Sequence, residues 1–301
     1  MKRLTLITLF TALSIGASFA QSTPYTVELS AFNSIVVGGD FDFTLDEGDK
    51  YQATITVDEA YKEFVICEVK GQELTVRFDE KKVTKDIENL LKGKSSNAPV
   101  FKAVITTPDA VNSLTLKGKS AFTSTKDLSV DSFRANVTEN AVLQDLTVSC
   151  KLADISTDKK ATANLKITAD ALNVSIAGAS TLNLMHSSKT VDVSIAGFCN
   201  LNLSGNADKM ELGGKGTGKV VLSGSVPKVS YDINGGCNIN ASDLVCSDAT
   251  VKMNSVCTLS EAASHSLSVN LTGGATLIFA NSPTISIEEI KSSNMKKADS
   301  K

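Results

Sequence analysis

The chain has 301 residues, with 30 Lys+Arg against 33 Asp+Glu, no Trp, and aromatic residues at only 5%. Charge this near balance argues against a strongly basic nucleic-acid surface. So few aromatics argue against extended stacking platforms for bases or sugars.

Residues 1–20 read as a secretory signal. Met1-Lys2-Arg3 is its basic start, Leu4 to Ile15 its apolar stretch, and Ser18-Phe19-Ala20 a small-x-small cleavage site. No later segment approaches 18 consecutive apolar residues, so no transmembrane segment is expected in the mature chain. Residues 21–111 read as a β section. Within it, 32–45 alternates apolar residues around Gly39, with Phe41 and Phe43 facing in. Gln52 to Val57 and Glu73 to Phe78 alternate as strands between charged turns. The run Asp79 to Lys94 reads as a solvated insertion, with room for a helical turn or two from Lys85 to Leu91, and Phe101 to Thr107 re-enters as a strand before Pro108. This section is expected to cap the repeats that begin at residue 112.

Residues 112–287 carry an internal repeat. Val174-Ser-Ile-Ala-Gly-Ala-Ser-Thr-Leu-Asn-Leu184 matches Val193-Ser-Ile-Ala-Gly-Phe-Cys-Asn-Leu-Asn-Leu203 at a distance of 19. With Gly178 as marker, the equivalent positions are Gly118, Glu139, Thr157, Gly178, Gly197, Gly216, Gly235, Ser255 and Gly273. Apolar residues alternate within each copy, which is the period of a strand with one buried face, and glycine at the marker suits a kink with positive φ. A unit this short cannot bury its own apolar face, so copies must stack. The fold expected is therefore all-β: a right-handed parallel β-helix (β-solenoid) with rungs of about 19 residues. The polar segment 288–301 has no apolar pattern and is expected to be a disordered tail.

Six cysteines in an exported chain raise the question of disulfides. Cys199, Cys237 and Cys257 fall two positions after the marker, in a file of small residues, and read as buried space-fillers; Cys237 and Cys257 on adjacent rungs leave a bridge open. No cofactor motif or metal-ligand spacing is present, and His186 and His265 read as connection residues. The best pair for acid–base chemistry is Asp192 with Glu211, which share a column on consecutive rungs, Asp232 lying one rung on in a neighbouring column. Ordinary solvated charges are the expectation there. A candidate binding ladder runs along one outer face through Thr181, Asn183, Asn200, Asn202, Asn238, Asn240 and Thr258, with Phe198 as an aromatic anchor.

The segments FNSIVVGGDFDFTL, GQELTVRF, VITTPDAVNSLTLKGKS, VSIAGASTLNL, VSIAGFCNLNLSG and LTGGATLIF together resemble the putative auto-transporter adhesin, head GIN domain family, over about residues 30–285. The resemblance implies a right-handed β-helical fold, export to the bacterial envelope and a role in adhesion, and it carries over no site residues. The chain departs from the family's Gly-Ser-Gly kinks by placing Cys, Glu139 or Asp158 near them, and no amphipathic run of a membrane barrel follows the repeats. The expected function is an exported, non-enzymatic binding or adhesion-like module at the periplasm or cell surface. Its expected partners are envelope glycans or surface proteins, without nucleic acid. A structural periplasmic scaffold or a polysaccharide-active β-helix enzyme are the alternatives.

Overall fold

A computed structural model describes residues 22–79, 81–82 and 101–298. The leader and the proposed helical turn at 85–91 lie outside the described residues. The described chain forms a right-handed parallel β-solenoid with rungs of about 19 residues. Each rung has a front strand, a bend, a back strand, and a kink that leads into the next front strand. Strands Thr162–Ile176, Thr181–Ile195, Asn238–Asn254 and Thr258–Thr272 each run from front sheet to back sheet through the bend.

The register is strict. Ile176 pairs with Ile195, Ile195 with Gly214, Gly214 with Ile233, and Ile233 with Met253, one rung after another. The file is buried, Ile176, Ile195 and Ile233 being at most 1% exposed. Full burial of each such side chain contributes about 1.5–3 kcal/mol. Two positions after the kink, Ser120, Ala141, Ser180, Cys199, Cys237, Cys257 and Ala275 form the buried file of small residues. Ser120 and Ser180 donate to the carbonyls of Lys117 and Ala177 just before the kink, at 2.9 and 2.6 Å. Gly218 sits between Cys199 and Cys237, where an added Cβ would meet the Cys199 Sγ at 3.0 Å. All six cysteines are free thiols. Burial pushes Cys257 up to about 11, so the interior thiols stay protonated and unreactive.

The structure corrects one register assignment. Thr157 pairs with Ile176 and therefore lies two positions before the kink. The third marker is Lys159, whose φ is 61°, and the small-file residue of that rung is Ala161. Glu139, with φ 70°, is the other charged residue at a kink. Its carboxylate accepts from the Gly118 N–H at 2.7 Å and from Lys159 Nζ at 3.2 Å. Glycine is thus replaced at two kinks by a pair that bonds across rungs.

The parallel ladder reaches further towards the N terminus than a boundary at 112 suggests. Ser34–Val37 and Asp42–Glu47 pair in parallel with Ser113–Leu116 and Ala121–Ser124, and Phe43 stacks on Phe122 with ring centroids 5.3 Å apart. Glu73–Phe78 and Lys102–Thr107 form a rung outside that one. Antiparallel strands complete this end: Val65–Lys70 on the back sheet, Gln52–Asp58 and Ser22–Glu28 on the front. At the other end, Thr284–Ile290 and Asn294–Lys297 are strands in parallel register with the preceding rung, where the sequence suggests disorder from 288. Main-chain pairing, which needs no apolar pattern, orders that segment.

Rungs approach most closely where glycines stack at the end of the front strand. Gly224 has φ 109°, and a Cβ there would collide with the Gly205 carbonyl. Gly71 has φ 63° but open space around it. Gly71→Ala should therefore cost only the left-handed penalty of about 1–2 kcal/mol. Gly224→Ala should exceed about 4 kcal/mol, because the clash is with backbone. Thermal unfolding followed by circular dichroism measures both, and equal losses would contradict this stacking.

Candidate functional site

A recess lies on the back sheet, where outward side chains from successive rungs form two files. Ser113, Arg134, Asp154, Asn173, Asp192 and Glu211 make up one, in unbroken register. Asn136, Ser156, Ser175 and Ser194 make up the second. Between them runs a furrow that encloses about 450 Å³. Smaller recesses flank the first file on its other side, one beside Ser113, Ser132 and Leu152 and one beside Thr190, Lys209 and Glu211. Four rungs line the furrow, which at strand spacing makes it about 14 Å long.

The furrow's polar groups are partly organised by each other. Arg134 pairs with Asp154 at 3.2 Å, and Asn173 Nδ2 donates to the same carboxylate at 2.8 Å. Glu211 is held by Lys209 on its own strand. Among the described residues Asp192 makes no side-chain hydrogen bond or ion pair, so its carboxylate faces the furrow free. Asp192 and Glu211 do stack on adjacent rungs, as the sequence suggests. Asp232 lies in the neighbouring file, beyond Gly213. Arg134, Asp154 and the serine file escape the sequence reading.

The predicted ladder lies on the front sheet. Thr181, Asn200, Asn238 and Thr258 share one file and Asn183, Asn202 and Asn240 the next. Both files are interrupted on one rung, by Lys219 and Val221. Asn164 precedes Asn183 in the second file. Asn183 Nδ2 donates to Asn164 Oδ1 at 2.8 Å, and Asn202 Nδ2 to Asn183 Oδ1 at 2.7 Å. These amides thus bond to one another between rungs. Asn240 Oδ1 instead accepts from Ser242. A second recess, of about 390 Å³, borders this ladder, with Met185 in its lining. Phe198 is 75% exposed and sits on the kink at the rim of the front sheet.

A carboxyl and an imidazole are enclosed in the core. Glu261 is 1% exposed; its carboxyl accepts from Tyr231 Oη at 2.5 Å and from the Ala262 N–H at 3.0 Å. Burial raises its pKa to about 7, outweighing those two bonds. His186 is the inward residue after Leu184 rather than a connection residue, and neither ring nitrogen has a partner. Burial lowers its pKa to about 4. His265, by contrast, is exposed at the bend, with Nδ1 2.8 Å from Asp248 Oδ1. Among the described residues no cluster of metal-ligating side chains is found, and no helix is long and apolar enough to cross a membrane.

A family model described as putative auto-transporter adhesin, head GIN domain, matches residues 31–186 and 185–283. No curated protein matches the chain. Among solved structures, a putative lipid binding protein from Parabacteroides distasonis is similar at 17% identity, covering 92% of this chain and 96% of that one, with a TM-score of 0.51. A putative adhesin from Parabacteroides merdae gives 17%, 92%, 96% and 0.50 for the same quantities. A putative adhesin from Parabacteroides distasonis gives 18%, 93%, 98% and 0.50. At these identities the likeness is one of fold.

The two enclosed groups oppose each other in their effect on stability. On unfolding, Glu261 returns to 4.5, so the unfolded chain releases a proton between pH 4.5 and about 7 that the folded chain keeps. Stability therefore falls as pH rises through that interval, by about 3 kcal/mol. His186 returns to 6.5 on unfolding, and the unfolded chain takes up a proton that the folded chain refuses down to about pH 4. Stability falls as pH drops through that window, by a similar amount. Between pH 4.5 and 6.5 the two slopes nearly cancel. Glu261→Gln retains a partner for both Tyr231 and Ala262, and relative to the wild type it should gain stability as pH rises from 4.5 to 7. His186→Leu should gain relative to the wild type as pH falls from 6.5 to 4. Urea unfolding across this range checks both, and parallel pH profiles for all three proteins would contradict the burial of these groups.

Proposed function

The chain belongs to the putative auto-transporter adhesin, head GIN domain family, and we propose that it is an exported, non-enzymatic binding module of the bacterial envelope. In this reading it holds an extended glycan along the back-sheet furrow. The observation that carries the proposal is the furrow itself, with one polar side chain per file on each of the four rungs from Arg134 to Asp192. Groups repeated at about 4.8 Å give many weak contacts to a repeating polymer. The main chain beneath is already paired on both sides within the sheet, so a peptide would find no edge on which to add a strand. That favours a ligand recognised through its hydroxyl groups. A lipid, in keeping with the description of the Parabacteroides distasonis neighbour, fits less well with walls bearing Ser, Asn, Asp and Arg.

Catalysis is the poorer use of the same groups. Glu211 is neutralised by Lys209, and the Asp192–Glu211 pair lies in an open trough from which water is not excluded. The front-sheet ladder gives a second reading, favoured by the exposure of Met185 and Phe198 beside Asn183 and Asn200. Export follows from the leader, with the periplasm or the cell surface as destination. A purely structural scaffold would retain nothing specific.

A glycan array and a pull-down from envelope extracts test this. Wild-type protein should retain a polysaccharide, and Asp192→Lys and Ser175→Trp, which reverse the charge of the furrow and fill it, should each weaken retention about tenfold or more. Asn202→Lys should leave it unchanged. Loss on Asn202→Lys alone would move binding to the front sheet. Capture of a protein alone would replace the glycan, and no specific retention would favour the scaffold. Turnover of uronic-acid polymers, abolished by Asp192→Asn or Glu211→Gln, would make the chain an enzyme.

A further inference from the structure

The two ends of the solenoid are finished differently. At the N-terminal end the 3-10 turn Glu59–Phe64 and the antiparallel strands cover the core. Phe64, Phe78 and Phe101 there are only 9%, 8% and 5% exposed, and Tyr61 packs edge-on against Phe101. At the C-terminal end, among the described residues, nothing covers the last rung. Ile285, Ile287 and Ile290 continue the inward files of Leu267, Val269 and Leu271. The latter three are at most 1% exposed, whereas the isoleucines are 38%, 56% and 39% exposed. Among the described residues, strand Thr284–Ile290 pairs only with the rung before it, as does Asn294–Lys297. Both strands therefore present a free hydrogen-bonding edge beside an uncovered apolar end.

The charges on these two strands are opposite. Thr284–Ile290 carries Glu288 and Glu289, and Asn294–Lys297 carries Lys296 and Lys297. Among the described residues none of the four belongs to an ion pair. Glu288 receives only a 3.4 Å contact from Asn270, and Lys297 donates to Ser282 at 3.1 Å. Front and back strands of a coil run in opposite directions. A two-fold axis across the open end, parallel to the strands, therefore sets the last back strand of one copy antiparallel to the last front strand of another. Glu288 and Glu289 of one copy then lie opposite Lys296 and Lys297 of the other, twice over, with the isoleucines enclosed between.

We infer that the C-terminal end of the solenoid is a docking surface for a second copy of this chain, giving a closed tail-to-tail dimer. An isologous contact of this kind satisfies both edges at once, and among the described residues the core at the N-terminal end is already covered. The dimer would also carry two furrows, so that a ligand with repeated units could engage both.

Sedimentation equilibrium of the leaderless chain tests the inference. The wild type should sediment as a dimer and Ile287→Lys as a monomer, with its circular dichroism and thermal midpoint confirming that it is folded. The double reversals Glu288→Lys/Glu289→Lys and Lys296→Glu/Lys297→Glu should each raise the dissociation constant about tenfold or more. Combining all four substitutions should restore the dimer, a result that stands even if Ile287→Lys fails to fold. A wild type that stays monomeric would leave the end to another occupant and overturn the inference. Open-ended oligomers, or a dimer indifferent to both charge reversals, would overturn it as well.

Discussion

The structure depends on the parallel backbone ladder between rungs. Each rung donates to and accepts from the next at the spacing of a single strand, so equivalent residues cannot drift apart from one copy to another. Files follow from that constraint: isoleucines on isoleucines inside, small residues or thiols where the chain turns, and amides on amides outside. The Asn164–Asn183–Asn202 chain illustrates it, because each side chain finds its partner simply by being repeated. The same constraint organises the back sheet. Arg134, Asp154 and Asn173 lie in hydrogen-bonding reach because they occupy one file, although about twenty residues separate each from the next.

Much of this was legible in the amino-acid sequence, because a file of like residues in space is a period in the chain. The fold class, the inward isoleucines, the cysteine file and the adjacency of Asp192 and Glu211 all rest on that equivalence. The weak point was the third copy, where Thr157 stood in for a kink that belongs to Lys159. A lysine at positive φ gives no glycine signal, and its cross-rung partner Glu139 could not be identified before the register was known. That displacement of two residues hid Asp154 from the carboxylate file and Asn164 from the amide ladder. It left the furrow unseen and the ladder one member short. The ordered segment 288–297 escaped for a different reason, since it is held largely by main-chain pairing, which leaves little hydropathy pattern.

The interior holds polar groups that the repeat would not specify. Tyr231 and Glu261 bridge between rungs inside the core, and His186 stands in an inward file without a partner. Each takes a place where an aliphatic side chain would pack, and burial there favours the neutral form of each. Their neighbours tolerate them because the ladder, rather than side-chain complementarity alone, keeps the rungs together. A solenoid of this type can carry local irregularities that a single compact core would pass on to every part.

The order in which the chain lays down its first rungs has a consequence for assembly. Strands 34–37 and 42–47 lie between an outer rung made by strands 73–78 and 102–107 and an inner one that begins at 113. Neither neighbour exists when those strands are synthesised, and the Phe43–Phe122 stack closes a loop of nearly eighty residues. Rungs after 113, in contrast, each settle on one already made. Ordering should therefore propagate along the later repeats, and the amino-terminal strands are the last to be enclosed, slotted between neighbours that arrive after them.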